Sequence, residues 1–265
     1  MRKLRRVLIV FGIFVLLFGF FFWQNNDLVV SVYDIDHGVE DEITIVHLSD
    51  LHSKMFGEDN QRLVDHVKEV EPDLIFITGD LIDQKNDEDD LSFKYIGDLR
   101  DIAPVYVSLG NHEYWSDLAE EVTIALEDMG AVVLDNEAIH MNIKGHFVQL
   151  IGLSDEAGGS DAKEELINMI NVDMYNIVLY HQPLSLEMFA DYDVELVFSG
   201  HAHGGQIRLP LIGGLIAPGE GLFPTYTSGL YEIEDSMMVV SRGLGNSVIP
   251  VRVFNRPEIV VVKLS

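Results

Sequence analysis

Short apolar runs recur along most of the chain, separated by longer stretches in which apolar residues are three or four positions apart. The runs are ITIVHL from Ile43, LIFIT from Leu74, VYVSL from Val105, VQLIGL from Val148, NIVLY from Asn176, ELVFS from Glu195 and EIVVVKL from Glu258. Such runs predict strands buried on both faces. The stretches near 59–70, 90–99 and 116–129 predict helices. Strand and helix in alternation indicate β-α-β units and therefore an α/β fold.

The N-terminal segment has a different pattern. Residues 7–23 carry no charge and follow four basic residues, Arg2, Lys3, Arg5 and Arg6. At about 1.5 Å per residue the run spans roughly 25 Å, which is enough for a short membrane helix. The positive-inside rule keeps residues 1–6 in the cytoplasm and places the rest outside. A cleaved signal peptide has the same layout, but the polar residues 24–27 offer no small-residue cleavage site.

This pattern predicts three segments. Residues 1–23 form a cytoplasmic tip and a single-pass anchor in the cell membrane, and 43–265 form the catalytic domain outside the cytoplasm. Residues 24–42 form a linker, in which the valine-rich patch 28–33 is either an edge strand or part of the tether. The acidic run 86–90 is interpreted as a solvated turn. The stretch 213–229 is rich in glycine and proline but carries Leu222, Phe223 and Tyr226, and a loop of this length is usually a lid or a binding loop.

Composition narrows the possible functions. The chain has no cysteine, which excludes disulfides, zinc-cysteine sites and thiol nucleophiles. Beyond residue 6 it carries 13 basic and 44 acidic residues, a net charge of −31. A nuclease usually presents basic residues to the phosphate backbone, so this charge argues against nucleic acid as a partner.

Metal-binding residue types follow the ends of the predicted strands. The sequences are SDLH at 49–52, GDLID at 79–83, GNHE at 110–113, YHQP at 180–183 and GHAHGGQ at 200–206. The carboxyl ends of strands in open α/β sheets converge on one crevice, so these clusters are expected to meet. Each motif alone also occurs in ordinary turns. Five of them in this setting favour a functional site.

The residue types indicate the chemistry. Carboxylate, imidazole and amide ligands without thiolate suit Mn, Fe, Zn or Co. The strand ends collect two Asp, one Asn and five His, which are too many ligands for one such ion. Seven of them would suffice for two ions that share a bridging carboxylate, the usual arrangement for in-line displacement at phosphorus. Glycines precede Asp80, Asn111 and His201, where a Cβ atom would crowd the metals.

In order and spacing, these motifs resemble the calcineurin-like metallophosphoesterases over residues 49–206. GLFPTYTSGLY and SRGLGNS, farther along, resemble the membrane-anchored bacterial phosphodiesterase branch of that family. The resemblance implies a four-layer α-β-β-α sandwich of two mixed sheets behind the N-terminal transmembrane helix. It also implies a metal-dependent phosphodiesterase or pyrophosphohydrolase, in which a metal-bound hydroxide attacks phosphorus in line.

The resemblance further implies a role for each site residue. Asp50, His52 and His203 would hold the first divalent or trivalent ion, Asn111, His181 and His201 the second, and Asp80 would bridge the two. His112 would act on the substrate phosphate as a catalytic residue. Glu113 and Asp83 are candidates for orienting imidazoles. A non-catalytic metal-binding scaffold and a nuclease of the same fold are the alternative functions.

The other histidines and Arg242 are not assigned to the metal site. His37, His66, His140 and His146 are expected to be structural, His47 is expected not to ligate, and Arg242 is a weak candidate for phosphate binding. The substrate is a phosphate ester. An apolar lid near a membrane favours a lipid-linked ester, and packing of the same side chains onto the core is the alternative. The sequence does not indicate the oligomeric state.

Overall fold

The computed structural model describes residues 2–36, 41–85, 91–155, 161–183, 186–217, 221–246 and 251–265. Within these ranges the chain forms two six-stranded mixed sheets with helices on their outer faces. His37 and the acidic run 86–90 lie outside the described residues.

The first sheet contains the early predicted strands and the last one. Its strands are β1 (Val29–Ile35), β2 (Ile43–Leu48), β3 (Leu74–Thr78), β4 (Val105–Ser108), β5 (Val132–Val133) and β16 (Glu258–Leu264). Their order across the sheet is β1-β16-β2-β3-β4-β5. β16 is antiparallel to β2, and the other neighbouring pairs are parallel. β2, β3 and β4 therefore end at the same edge.

The second sheet is built mostly from the later half of the chain. Its strands are β6 (Glu137–Ile143), β7 (His146–Gly152), β8 (Tyr175–Leu179), β9 (Leu196–Ser199), β14 (Gly229–Ile233) and β15 (Ser236–Val240). Their order is β14-β15-β9-β8-β7-β6, and β7, β8, β9 and β15 are parallel. Two small hairpins precede β14, formed by β10 (Arg208–Leu209) with β11 (Gly213–Gly214) and by β12 (Ile216–Ala217) with β13 (Gly221–Leu222).

Seven helices are present in the described ranges. They are α1 (Arg2–Asn26), α2 (Gln61–Val70), α3 (Lys94–Arg100), α4 (Asn111–Trp115), α5 (Ala119–Asp128), α6 (Ala162–Met169) and α7 (Leu186–Ala190). α2, α3 and α5 pack on the first sheet, and α6 and α7 pack on the second. Ile45, Phe76, Leu150 and Phe198 belong to a third apolar core between the sheets. The predicted four-layer sandwich is thereby confirmed.

The segment after the anchor contains the edge strand that its valine-rich patch allowed. Val29–Ile35 forms the edge strand β1 and pairs with β16 along its whole length, from Val29 beside Glu258 to Ile35 beside Leu264. Its residues alternate between more and less exposed positions. A half-buried edge strand lacks the continuous apolar run of a central strand, so its sequence signal is weaker.

The helix α1 is long and apolar enough to cross a membrane, and it is almost entirely exposed. A signal sequence near an N-terminus has the same properties.

Candidate metal centre

Five loops that follow strands meet at one edge of the two sheets. Backbone hydrogen bonds link these loops: Asp50 N donates to Gly79 O (3.0 Å), His52 N to Asp80 O (2.9 Å) and Gly200 N to His181 O (3.0 Å). The strand ends carry Asp50 and His52 after β2, Asp80 after β3, Asn111 and His112 after β4, His181 after β8, and His201 and His203 after β9.

The first group of potential ligands comprises Asp50, His52, Asp80 and His203, all buried. Each offers one ligand atom, and these atoms lie within 4.8 Å of one another. The Nε2 atoms of His52 and His203 are 3.0 Å apart, and His203 Nε2 is 3.3 Å from Asp50 Oδ1. His52 Nε2 is 3.6 Å from Asp80 Oδ2. Acceptor atoms that converge in this way fit a bound cation.

The second group comprises Asp80, His181 and His201 and is also buried. His181 Nε2 lies 3.2 Å from Asp80 Oδ2 and 3.2 Å from His201 Nδ1. The other ring nitrogen of His181 is 2.7 Å from Thr78 O. A carbonyl only accepts hydrogen bonds, so His181 donates from Nδ1 and its Nε2 is directed at the cluster, the usual way of orienting a ligand imidazole. Asp80 belongs to both groups.

Asn111 adds an amide oxygen at the start of α4. The backbone N–H of the next residue, His112, donates to Asp80 Oδ1 (2.9 Å), which fixes this end of the helix against the shared carboxylate. The Asn111 side chain is buried, and its Oδ1 atom has no hydrogen-bond partner among the described residues. A buried oxygen without a donor is costly, and a cation would satisfy it.

His112 lies at the mouth of the cluster. Its side chain is 13% exposed, and its Nε2 is 3.9 Å from Asp80 Oδ2. The Gln84 backbone N–H donates to its Nδ1 (3.0 Å), so in the neutral ring the hydrogen is on Nε2. The rings of His52 and Trp115 pack against it. This geometry holds an N–H donor toward the site.

The backbone of these loops adopts conformations that most side chains avoid. Positive φ values of 46° to 64° occur at Asp50, His52, Asp80, His201 and His203. Such residues cost on the order of 1–3 kcal/mol each and are typical of functional sites. Glycine permits the closest approaches: a Cβ on Gly110 would lie 2.4 Å from Asp80 Oδ1, and one on Gly200 1.9 Å from Ser49 Oγ. Added side chains would therefore collide with the cluster's own residues.

Glu113 orients backbone rather than an imidazole. Its buried carboxylate accepts N–H groups from Asp80 (2.9 Å), Leu81 (2.7 Å), Ile82 (3.2 Å) and Gly110 (2.9 Å). The loop after β3 is thus joined to the start of α4. Asp83, the other candidate, has a carboxylate oxygen 4.0 Å from His112 Nδ1.

Burial and mutual proximity shift the pKa values of the cluster. Burial raises the pKa of Asp50 to about 6 and lowers that of His52 to about 4. Burial alone would raise the pKa of Asp80, but His181, His52 and His112 hold it well below its usual range. Burial alone would lower the pKa of His181, but Asp80 and Asp50 hold it above its usual value. The carboxylates of Asp80 and Asp50 therefore favour positive charge at the position of His181, which is the charge that a bound cation would supply.

Two residues near the site escaped the sequence analysis. Asp155 follows β7, is buried, and accepts a hydrogen bond from Gln182 Nε2 (2.7 Å); its position after the run VQLIGL was an available signal. Asn255 is buried and donates from Nδ2 to the carbonyls of His203 (2.7 Å) and Gln206 (3.1 Å). No local pattern distinguishes Asn255, because its partners lie about fifty positions away.

The remaining candidates lie outside the two groups. His47 is fully buried beneath the site with its Nε2 2.8 Å from Thr78 Oγ1, and burial lowers its pKa to about 3. His66 Nδ1 is 2.7 Å from Arg62 O, and His140 and His146 lie in β6 and β7. Arg242 forms an ion pair with Glu258 (2.7 Å). These positions indicate structural roles.

Comparison with known proteins agrees with the fold and the site. Residues 43–205 match the sequence model of the calcineurin-like phosphoesterases. The chain belongs to this family.

Among its relatives are two uncharacterized metallophosphoesterases of Bacillus subtilis. YkoQ is 29% identical to this chain, and the alignment covers 95% of this chain and 97% of YkoQ. YkuE is 33% identical, and the alignment covers 87% of this chain and 81% of YkuE. The phosphodiesterase YaeI of Escherichia coli is 31% identical, and the alignment covers 74% of this chain and 72% of YaeI. The family match and the buried cluster of His and Asp side chains together identify this chain as a metal-dependent phosphoesterase, which hydrolyses phosphoester bonds.

Proposed function

We propose that this chain hydrolyses phosphodiester or pyrophosphate bonds with two metal ions bound at the strand-end cluster. The observation that carries the proposal is the position of Asp80, whose carboxylate belongs to both buried ligand groups. The first ion would be held by Asp50, His52 and His203, the second by Asn111, His181 and His201, with Asp80 between them. The absence of thiolate favours Mn, Fe, Zn or Co.

The ions would supply Lewis acidity at phosphorus and would lower the pKa of the attacking water. The chain's own residues supply the rest. Asp80 places negative charge at the centre, and Glu113 fixes the loops that carry Asp80 and Asn111. His112 directs its Nε2–H toward the site, where it can stabilise charge on the phosphate or protonate the leaving oxygen.

Two observations favour this proposal over the alternative functions. A non-catalytic scaffold would tolerate the loss of ligands, whereas all seven proposed positions hold ligand residues. A nuclease would present basic residues to its substrate, whereas the chain beyond residue 6 carries a net charge of −31. The name of the Escherichia coli relative supports diester rather than monoester substrates.

The membrane context extends the proposal. Four basic residues precede the apolar run of α1, so the helix would cross the cell membrane once and leave the catalytic domain on the extracytoplasmic side. A phosphate ester carried by a lipid is the substrate that suits such a position.

A metal-addition assay with the purified full chain tests the catalytic proposal. The chain is stripped with a chelator and assayed on a small soluble diester and on the matching monoester, before and after addition of Mn, Fe, Zn or Co. We expect a metal to restore hydrolysis, with the diester preferred. Hydrolysis that survives complete metal removal, or that no metal restores, would contradict the proposal.

His112→Ala separates metal binding from catalysis. If His112 acts on the substrate, the variant should keep its metal while kcat falls about 100-fold or more. Metal content by mass spectrometry and kcat on the soluble diester are measured together. Loss of metal from the variant would instead make His112 a ligand.

A further inference from the structure

The strand topology places the metal cluster at the edge of the sheets where the membrane helix ends. α1 ends at Asn26 and β1 begins at Val29. β1 is parallel to β16, with Val29 beside Glu258. β16 is antiparallel to β2, with Val260 beside His47, so the end of β2 lies at the start of β16. Asp50 therefore lies at the same edge as the end of α1.

Direct contacts hold α1 against this edge. The Gln24 side chain is buried, and its Oε1 accepts the backbone N–H of Asn255 (3.2 Å). Asn255 in turn donates to His203 O, so one residue connects the helix with the cluster. Lys54 and Arg62 donate to the carbonyls of residues 25 and 26, and cations at a helix C-terminus are stabilising. The end of α1 therefore packs directly against the domain and is not separated from it by a free linker.

The contact between Phe254 and Phe20 shows how far this edge of the sheets reaches along the apolar part of α1. Their ring centroids are 5.7 Å apart. Phe20 lies six residues before the helix end, or about 9 Å along the axis. Trp23, between them, packs against the guanidinium of Arg256 at 4.9 Å, and tryptophan is enriched at membrane interfaces. If α1 spans a bilayer, Phe254 lies within its apolar margin.

Exposed apolar side chains continue from Phe254 along two hairpins. Arg208 N donates to Val253 O (3.0 Å), which joins the β10–β11 hairpin to the Phe254 loop. Phe223 N donates to Leu215 O (2.9 Å), which extends the second hairpin, and Leu215 N donates to Ile207 O (2.9 Å), which holds it beside the start of the first. We call the exposed side chains here the apolar face; they are Leu209, Leu211, Ile212, Leu222, Phe223 and Phe254.

One aromatic of the predicted lid does not belong to this face. Tyr226 packs on Tyr231, with ring centroids 4.9 Å apart, and its hydroxyl lies 3.3 Å from Glu187 Oε1. Tyr226 therefore folds back onto the domain, whereas Leu222 and Phe223 are 71% and 65% exposed. Apolar side chains left in water so close to a docked apolar helix indicate an apolar partner.

Basic residues also lie near the apolar face, but most of them are paired or buried. The 13 basic residues beyond residue 6 are few, yet six of them lie on the elements around the helix end and the Phe254 loop. These are Lys54, Arg62, Arg208, Arg242, Arg252 and Arg256. Arg242 pairs with Glu258, Arg256 pairs with Asp27, and Arg252 is buried, so the charge of these cations is largely used within the domain. The apolar side chains, and not the basic residues, therefore carry the argument for the bilayer.

We propose that the apolar face rests in the leaflet at the carboxyl end of α1, so that the metal cluster opens at headgroup level and receives a phosphate ester presented by a membrane lipid. The inference rests on the proposed phosphoesterase function and names its substrate class. The bilayer is favoured as the occupant because the face is continuous with α1 through the contact of Phe254 with Phe20. The side chains of the face are also aliphatic and aromatic, as in other interfacial segments.

Depth measurement tests the location of the face. The natural chain has no cysteine, so Leu211→Cys and Phe147→Cys each accept one fluorescent label. Phe147 is a matched control because it is 71% exposed but lies at the start of β7, which is parallel to β8 and therefore at the opposite edge. With the full chain in vesicles of phosphatidylcholine and phosphatidylglycerol containing spin-labelled lipid, we expect severalfold stronger quenching at position 211. Equal quenching at the two positions would overturn the proposal.

Kinetics test the function of the face. Leu211→Ser with Ile212→Ser should raise KM for a phospholipid diester in the same vesicles by about tenfold, since two apolar side chains leave the bilayer. Hydrolysis of the small soluble diester should be unchanged, and Phe147→Ser should affect neither substrate. An equal loss on both substrates would make the hairpin a support of the metal site and overturn the inference. A natural chain that hydrolyses neither substrate would refute the proposed function, while the quenching result would still report on the face.

Discussion

Asp80 is the residue on which both ligand groups depend, because its Oδ2 atom faces His52 on one side and His181 on the other. Its φ of 52° lies in the left-handed region, which asparagine also tolerates. Asp80→Asn should therefore fold normally while removing the shared charge.

We expect Asp80→Asn to reduce bound metal and activity more than His203→Ala, which removes one ligand from one group. The metal content of the purified variants is measured by mass spectrometry, together with hydrolysis of a soluble diester. Full occupancy of both sites in Asp80→Asn would contradict the bridging role of this carboxylate.

His47 lies below the site and affects stability rather than chemistry. Its pKa falls from 6.5 to about 3 on burial, so the unfolded chain binds a proton that the folded chain does not. Above pH 6.5 the ring is neutral in both states, and the free energy of unfolding has its full value. As the pH falls from 6.5 toward 3, only the unfolded chain takes up the proton, so the free energy of unfolding decreases. Because 1.36 kcal/mol corresponds to one pKa unit, about 2 kcal/mol is lost between pH 7 and pH 5.

His47→Gln removes this titration but keeps a group that can bond Thr78. Between pH 7 and pH 5, we expect the variant to lose about 2 kcal/mol less of its free energy of unfolding than the natural chain. Urea denaturation of both chains in detergent at the two pH values measures the difference. Parallel losses in the two chains would show that another group dominates the acid response.

Residue types at the strand ends were predictable from the sequence, and their contacts were not. Asp50 and His181 follow apolar runs, so the pattern of strands was sufficient to find them. Asn255 and Glu113 act through hydrogen bonds to distant backbone groups. Such bonds depend on how separate loops meet, which the local sequence does not contain.

At the scale of elements, Glu113 links the loop after β3 to the N-terminus of α4. Burial and the nearby Asp80 raise the pKa of this carboxyl to about 7, while the N–H donors favour its ionised form. Replacement by glutamine puts an NH2 group against N–H donors, and buried unpaired donors cost about 1–3 kcal/mol each.

Glu113→Gln should accordingly lower the unfolding temperature and weaken metal binding, because the loops carrying Asp80 and Asn111 would no longer be held together. Glu69→Gln is the matched control, since Glu69 is exposed on α2. Thermal unfolding and metal titration are compared for the two variants. An unfolding temperature like that of the control would show that the loops are held by other contacts.

Elements buried on both faces were the easiest to predict. β3 and β8 follow the apolar runs closely, whereas the sequence left β1 open between an edge strand and a tether and gave no sign of the two hairpins. β1 alternates in exposure, and each hairpin strand has only two residues, so neither produces a continuous apolar run. Pairing with distant strands stabilises β1, and β16 is more than 200 residues away.

At the scale of the whole molecule, the chain is charged asymmetrically. Four basic residues precede the apolar run and a net charge of −31 follows it. The rule that retains positive charge in the cytoplasm therefore acts on the short N-terminal tip, since large domains translocate largely regardless of their charge. If α1 crosses the membrane as proposed, its docked end would place the metal cluster on the side where the helix ends.

This orientation predicts the behaviour of reporters fused after Ser265. A reporter enzyme active only in the cytoplasm should be silent, and one active only outside should give signal. Replacing Arg2, Lys3, Arg5 and Arg6 by neutral residues should reduce the difference, because the charges that set the orientation are then lost. The full-length fusion must be present at equal levels in each case, measured by immunoblot. Strong cytoplasmic signal from the natural chain would place the catalytic domain inside the cell and remove the extracytoplasmic substrate from consideration.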